Sequence, residues 1–244
     1  MSGYNTIFLS EGLRSFGLDA GTGQIDQFIK YYEILVEWNS FMNLTAITQF
    51  DEVVRKHFLD SVSLIKILPD LESEQYTIID VGTGAGFPGI PLKIIFPHLK
   101  ILLLDSLNKR INFLNEVIGR LNLKNVDTVH GRAEDCARDR QYREKYDLCV
   151  SRAVANLSTL SEYCLPFVKK GGCFVSYKSE KVTEEYEHSK KAIVVLGGKC
   201  EKREEFYLPD TDIYRNLFLI RKVKNTPERY PRKAGIPQKE PMFL

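Results

Sequence analysis

The sequence lacks several features that would place it in a familiar class at once. No two of its five cysteines are spaced as Cys-x-x-Cys, and their number is odd, so we expect reduced thiols rather than a disulfide framework or a zinc site. No apolar run approaches the ~20 residues that a membrane span needs. The N-terminus has neither a basic nor a long apolar segment, which argues against a signal peptide. These absences predict a cytoplasmic protein with no membrane anchor and no metal.

Net charge is also small. The 244 residues carry 34 Lys and Arg against 32 Asp and Glu, a balance of +2. A chain this close to neutrality requires a local basic patch if it binds nucleic acid, because its overall charge supplies no attraction. Hydrophobic residues make up 43% of the chain. This content predicts a soluble globular protein with one large domain, with or without an extension of ~50–80 residues.

The first part of the chain is predicted to be helical. Apolar residues in 24–39 recur with a period near 3.6, which indicates an amphipathic helix with one buried face. A second helix is predicted over 51–68, where Pro69 ends it. Residues 1–72 are therefore interpreted as a helical N-terminal extension.

From residue 77 onward, short apolar segments alternate with helical ones. Strand–helix alternation predicts an α/β fold with a doubly wound, mainly parallel sheet over residues 73–224. The last two strands form a hairpin, which predicts an antiparallel edge strand. The tail 225–244 holds four prolines and is expected to be an irregular arm. The predicted strands are 77–82, 100–105, 125–130, 145–151, 171–178, 199–208 and 212–223.

The stretch IIDVGTGAGFPGI (78–90) lies at the first strand-to-helix turn, where folds of this kind bind ligands. Residues 84–89 spell G-x-G-x-x-G, a dinucleotide pattern that is weak on its own. Asp80 favours a different ligand, because a carboxylate is a poor neighbour for pyrophosphate and a good one for the ammonium group of S-adenosylmethionine. Class I methyltransferases use the pattern Asp-x-Gly-x-Gly-x-Gly, so the expected cofactor-binding residues are Asp80, Gly82, Gly84 and Gly86.

The next two strand ends also carry candidate residues. Asp105 can accept hydrogen bonds from the ribose hydroxyls of either NAD or S-adenosylmethionine, so it does not discriminate between them. Ala133 and Glu134 occupy positions that commonly meet adenine in this fold. Glu134 has an alternative role as a charge at a helix N-terminus. A non-catalytic nucleotide-binding module, such as an NAD(H) sensor, remains open at this point, although Asp80 speaks against it.

Several strings resemble one family, the bacterial small-subunit rRNA guanine-N7 methyltransferases (RsmG, also called GidB). The resemblance runs from about residue 31 to the end, and GFPG is its most specific part. It implies a Rossmann-like class I methyltransferase fold, S-adenosylmethionine as methyl donor, and N7 of a guanosine in the 530 loop of 16S rRNA as acceptor. The expected partner is 16S rRNA or the small ribosomal subunit, and the protein is expected to act as a monomer. The matching strings are EWNSFMNLTAIT (37–48), KHFLDSV (56–62), DVGTGAGFPGIPLKI (80–94), DSLNKRINFL (105–114), SRAVANL (151–157) and RKAGIPQKEP (232–241).

Carried over by position, the resemblance also implies site residues. Arg152 is the candidate for positioning the substrate or the cofactor. No catalytic base is assigned, because guanine N7 carries a lone pair and no proton. A methyltransferase acting on another RNA, a protein or a small molecule is the alternative that the generic motifs leave open. The implied cofactor contacts are Gly82, Phe87, Ala133, Glu134 and Arg152, with Asp80 and Asp105 at the family's acidic positions.

The expected basic patch lies near the end of the chain. Residues 221–239 hold seven Lys and Arg but a single Glu, and a solvated tail is the alternative interpretation. Upstream, His57 and Asp60 are predicted to lie on one helix, where they either pair near the substrate or form a structural pair. RNA phosphates are expected at Arg229, Arg232, Lys233 and Lys239, with Lys109 and Arg110 as additions.

Overall fold

The computed structural model describes residues 3–153, 155–179 and 183–242. The chain begins with helices α1 (Ile7–Ser15) and α2 (Thr22–Met42). Where the sequence predicted one regular helix over 51–68, the pitch changes three times. The segments are α3 (Phe50–Val53), a π-helical turn (Val54–Leu59), α4 (Asp60–Val62) and a 3-10 turn (Ser63–Lys66), and a second 3-10 turn (Pro69–Glu72) leads into the sheet.

Seven strands form one sheet in the order β3-β2-β1-β4-β5-β7-β6. Strands β1 to β5 are mutually parallel, β7 runs antiparallel to β5, and the edge strand β6 is antiparallel to β7. The predicted α/β fold with a mainly parallel sheet and an antiparallel edge is confirmed. The strands are β1 (Thr77–Val81), β2 (Lys100–Asp105), β3 (Val126–His130), β4 (Tyr146–Ser151), β5 (Val168–Lys178), β6 (Gly198–Tyr207) and β7 (Tyr214–Lys222).

Helices cover both faces of the sheet, as the right-handed strand–helix–strand connection requires. Strand residues alternate between two hydrophobic cores, so that Ile78 and Ile79 belong to different ones. The first core also contains Phe28 and Phe58, so the N-terminal helices share it with the sheet across the expected boundary at 72/73. The later helices are α5 (Gly89–Ile95), α6 (Asn108–Arg120), α7 (Ala133–Cys136), α8 (Leu157–Cys164), α9 (Thr183–Val195) and α10 (Ile236–Lys239).

The C-terminal segment is irregular apart from α10, but it is fastened to the sheet domain along its length. Arg143 donates to the carbonyls of Thr226 and Tyr230, and Arg138 donates to that of Pro231. Further along, Thr159 Oγ1 donates to the carbonyl of Pro237 at 2.9 Å. Side chains of the sheet domain thus satisfy carbonyls of a segment that has little regular structure.

Three further findings concern the described parts of the chain. None of the helices there combines the length and the apolar character that crossing a membrane requires. Across the same ranges, no three or more His, Cys, Asp or Glu side chains are grouped so that they could hold a metal ion. All five cysteines are free thiols.

Candidate functional site

A cavity of about 590 Å³ opens at the carboxyl ends of β1 to β4. Its floor is the loop after β1, and Asp105, Ala133 and Arg152 reach it from the ends of the other strands. Thr45 and His57 close one side, while Gly235 and Gln238 close another. The chain turns from β1 toward β2 and β3, then returns to place β4 on the other side of β1. The cavity therefore lies at the switch in strand order, where open α/β sheets bind ligands.

The glycine loop presents bare backbone to this cavity. Gly82, Gly84 and Gly86 have φ angles of +71°, +63° and +94°, a region that side-chain-bearing residues rarely adopt. A Cβ on Gly84 would meet nothing within 4 Å, so its side faces open space. Gly89 differs, since a Cβ there would lie 2.3 Å from Leu103 Cδ2. The positive φ angles of the first three glycines allow the loop to bend, and the missing side chain of Gly89 allows α5 to pack closely on β2.

Asp80 does not line the cavity, which corrects the expectation that it faces the ligand. Its carboxylate is fully buried under the loop, where Oδ2 accepts from Thr83 Oγ1 at 2.7 Å and from Gly89 N at 2.9 Å. Burial raises the pKa of Asp80 to about 7, although these two hydrogen bonds oppose the rise. Oδ1 has no partner in the described chain. Asp80 thus fixes both ends of the loop from beneath, and its unpartnered Oδ1 is buried with the rest of the carboxylate.

Asp105 lies in the cavity wall, as expected for a residue that meets ribose hydroxyls. Its Oδ2 accepts from Gly84 N at 2.9 Å, and its Oδ1 accepts from Leu107 N at 2.9 Å. Arg110 Nη1 lies 3.2 Å from Oδ2. Each carboxylate oxygen has a second acceptor direction beyond its backbone donor. The carboxylate is therefore oriented by the backbone and remains able to accept from a ligand that displaces Arg110.

Ala133 and Glu134 also line the cavity, at the start of α7. Glu134 is 5% exposed, and its Oε1 accepts from Gly235 N at 2.7 Å. This bond holds the C-terminal segment over the cavity, so Gly235 and Gln238 become wall residues. Reasoning from the sequence assigned no site role to these two residues. Their only signal was their place in the string RKAGIPQKEP, which resembled the family without indicating a contact.

Phe87 and His57 form a stacked pair in the cavity wall, with ring centroids 4.5 Å apart and an interplanar angle of 17°. Thr45 Oγ1 lies 2.9 Å from His57 Nε2. Burial, reinforced by the nearby Arg152 charge, lowers the pKa of His57 to about 3, so the imidazole is neutral. The pairing of His57 with Asp60 considered from the sequence does not form. The π-helical turn directs the two side chains to different partners.

Arg152 lines the cavity, but its guanidinium is already engaged. Nη1 donates to the His57 carbonyl and Ser61 Oγ, and Nη2 donates to the Lys56 carbonyl. Nη2 also lies 2.8 Å from Asp60 Oδ2, and Asp60 Oδ1 accepts from Arg215 Nε at 2.8 Å. Arg152 was expected to position the substrate or the cofactor, and most of its donors are instead used within the protein. The four terminal hydrogens fasten the π-helical turn to the end of β4, and Nε alone has no partner in the described chain.

The four residues expected to meet RNA fall into two groups. Arg229, Lys233 and Lys239 are exposed. Arg232 instead forms a bidentate ion pair with Glu162, in which Nη2 lies 2.8 Å from Oε2 and Nε lies 3.0 Å from Oε1. The Glu162 side chain is 1% exposed. The expectation that Arg232 is a free phosphate ligand is therefore corrected. Its charge compensates a buried carboxylate and anchors the C-terminal segment.

The chain matches the family model described as "rRNA small subunit methyltransferase G" over residues 24–214. It is 59% identical to the ribosomal RNA small subunit methyltransferase G of Lachnoclostridium phytofermentans, over 98% of both chains. It is 56% identical to the Acetivibrio thermocellus protein of the same name, over 96% of this chain and 95% of that one.

One solved structure is similar to this chain in fold but has low sequence identity to it. The chain is 17% identical to Aeropyrum pernix fibrillarin, whose crystal structure contains natively bound S-adenosyl-L-methionine. The TM-score is 0.52, and the match covers 66% of this chain and 73% of fibrillarin. The Rossmann-like architecture inferred from the sequence agrees with this likeness.

Proposed function

Because this chain belongs to the rRNA small subunit methyltransferase G family, we propose that it transfers the methyl group of S-adenosylmethionine to N7 of a guanosine in the 530 loop of 16S rRNA. We place this activity in the cytoplasm, carried out by a monomer on 16S rRNA or on the small ribosomal subunit. Methylation of small-subunit rRNA is the activity that the family name states. The donor, the acceptor atom and the position in the RNA are the further content of the proposal.

One observation supports a cofactor that carries a ribose. Gly84 presents unobstructed backbone to the cavity, and its own N–H is held by the carboxylate of Asp105 at the next strand end. A bare loop beside an acid at the switch in strand order fits a ligand that carries a ribose. NAD and S-adenosylmethionine both carry that ribose, and the methyltransferase family to which the chain belongs favours S-adenosylmethionine. Gly82, Gly84, Asp105, Ala133 and Glu134 would hold the cofactor, with Phe87 beside them.

The chemistry makes modest demands on the protein. The cofactor supplies a methyl group on a sulfonium, which is already electrophilic. Guanine N7 is a lone-pair nucleophile without a proton, so no side chain has to remove one. His57, with its pKa lowered to about 3, is a poor proton acceptor, and the guanidinium of Arg152 is already protonated and engaged, which agrees with a reaction that needs no general base. The residues therefore act by orienting two reactants, which lowers the entropic cost of the reaction.

RNA contact is assigned to the exposed cations of the C-terminal segment. Arg229, Lys233 and Lys239 lie on the segment that also carries Gly235 and Gln238 to the cavity wall. Positive charge near the mouth of the cavity attracts phosphates and orients the RNA without reading its bases. Arg110, beside Asp105, adds a further cation at the rim.

The test is methyl transfer to a defined acceptor. The protein is incubated with labelled S-adenosylmethionine and with small ribosomal subunits that lack this modification, and 7-methylguanosine is then mapped by strand cleavage. We expect a single new cleavage in the 530 loop. Thermal stabilisation by S-adenosylhomocysteine but not by NADH is the matching control for the cofactor. Stabilisation without label on the subunit would refute the acceptor and retain the donor.

A further inference from the structure

A second cavity, of about 540 Å³, adjoins the first at the carboxyl ends of β4 and β5. The two cavities share Arg152 and Ala153, which stand between them. Resting on the function proposed above, we propose that the second cavity holds the target guanosine and that Glu185 recognises the Watson–Crick edge of its base. The first cavity would then hold the donor over β1 to β3, with the acceptor beside it.

The size and position of this cavity suit a nucleoside. Ligand pockets range from about 300 to 1,000 Å³, and this cavity of about 540 Å³ lies within that range. Tyr177, Lys178 and Ser179 at the end of β5 line it, so it opens on the same edge of the sheet as the donor cavity. A methyl group can pass directly between two reactants only if their sites meet. These two sites meet at residues 152–153.

The reaction fixes which way the base must face. Guanine carries N7 and O6 on one edge, and N1–H with the 2-amino group on another. N7 has to point across Arg152 and Ala153 toward the donor. Arg152 Nε, the one hydrogen-bond donor of that guanidinium without a partner in the described chain, lies at this boundary and suits O6. The N1–H and the 2-amino group then point into the second cavity, where they need an acceptor.

Among the described residues, two carboxylates line the second cavity, and only one of them has an oxygen without a hydrogen-bond partner there. Asp60 uses Oδ2 for Arg152 and Oδ1 for Arg215. Glu185 uses Oε1 for both Leu157 N and Lys178 Nζ, the latter at 2.7 Å. Its Oε2 makes no hydrogen bond in the described chain. Glu185 is on α9 and lines the second cavity but not the first.

The free oxygen of Glu185 also explains selectivity for guanine. A carboxylate accepts from the N1–H and the 2-amino group of guanine, whereas adenine presents an unprotonated N1 at that edge. The pairing that favours guanine therefore repels adenine. Within the part of the chain that the structure describes, Nη2 of Arg215 has no hydrogen-bond partner, since Nε binds Asp60 and Nη1 binds the Tyr214 carbonyl. Nη2 suits the phosphate of the same nucleotide.

The experiment compares guanosine with inosine, which lacks only the 2-amino group. Small subunits are reconstituted with 16S rRNA that carries either base at the target position, and kcat/KM for methyl transfer is measured. We expect the wild-type protein to disfavour inosine by roughly 10- to 100-fold, the effect of losing a hydrogen bond to a charged group. In Glu185→Gln, the rate on guanosine should fall by a similar factor, and the preference for guanosine should shrink to about threefold or less.

The matched control is Glu187→Gln on the same helix, where Glu187 is exposed and pairs with Lys190. It should keep the wild-type rate and preference. The Kd for S-adenosylhomocysteine should stay within about twofold in both variants. Equal wild-type rates on guanosine and inosine would overturn the assignment of Glu185, and so would a Glu185→Gln variant that retains the wild-type preference. The inosine comparison needs no variant, so it holds even if Glu185→Gln fails to fold. A wild-type protein that methylates neither subunit would instead overturn the proposed function itself.

Discussion

Asp60→Asn is the change that should most affect how the N-terminal helices are held to the sheet. Asp60 is 3% exposed, and its two oxygens each lie 2.8 Å from an arginine, Arg152 on one side and Arg215 on the other. The two arginine side chains are 16% and 14% exposed. Asparagine keeps the shape and one acceptor but removes the charge, which leaves two poorly hydrated cations next to each other.

Breaking a buried pair by neutralising one partner costs about 3–5 kcal/mol. The arginines keep some access to water and the asparagine can still accept one hydrogen bond, so we expect about 3 kcal/mol here. For a chain of this size, that corresponds to a fall in Tm of roughly 6–12 °C. Urea unfolding and a thermal melt, both at fixed salt, measure the two quantities.

The control for this variant is Glu52→Gln on the same segment. Glu52 pairs with Lys56 at 2.6 Å, but both side chains are well exposed, so the loss should stay below about 0.5 kcal/mol. A double-mutant cycle with Arg215→Gln should then show coupling of about 1 kcal/mol or more between Asp60 and Arg215. If the free energy of unfolding of Asp60→Asn lies within about 1 kcal/mol of the wild-type value, the buried network does not hold the N-terminal helices to the sheet.

Three further outcomes follow from the site. Arg232→Ala should lower the free energy of unfolding by about 2 kcal/mol, because it leaves the buried carboxylate of Glu162 without its partner. Lys233→Ala should leave stability unchanged and reduce the slope of log K for RNA binding against log salt by about one. A reduced slope in Arg232→Ala without loss of stability would show that Arg232 is the phosphate ligand. Asp105→Asn should weaken S-adenosylhomocysteine binding about tenfold by calorimetry, and an unchanged Kd would remove Asp105 from the cofactor site. Because the folded pKa of Asp80 is raised to about 7, the folded state binds the extra proton between about pH 4 and pH 7, so the Asp80 contribution to stability falls as pH rises through that window. The gap in unfolding free energy between Asp80→Asn and the wild-type protein should accordingly move in favour of the variant from pH 5 to pH 8, and a gap that does not change with pH would contradict the raised pKa.

The sequence predicted the sheet well because each strand carries its own local signal. The run ending in Asp105 and the glycine turn after Val81 mark two strand ends directly, and both reach the cavity. The partners of Arg152 and Arg232 were beyond such reasoning, since each depends on a residue farther away in the chain than a local pattern reaches. Glu162 is 70 residues from Arg232, and nothing in the sequence around either one indicates that they meet. The widened turn at Val54–Leu59 was also hidden, because the apolar period that predicts a helix does not report its pitch.

The structure gives a physical reason why the N-terminal string KHFLDSV resembles the family. KHFLDSV contains no group that the reaction needs, yet it supplies the carbonyls of Lys56 and His57 and the carboxylate of Asp60. All three meet Arg152, which belongs to the string SRAVANL at the end of β4. The two strings are halves of one junction, and that junction forms the wall shared by the two cavities. The helical extension is therefore a part of the cavity wall rather than an appendage, because its carbonyls and Asp60 fix the position of Arg152 between the two cavities.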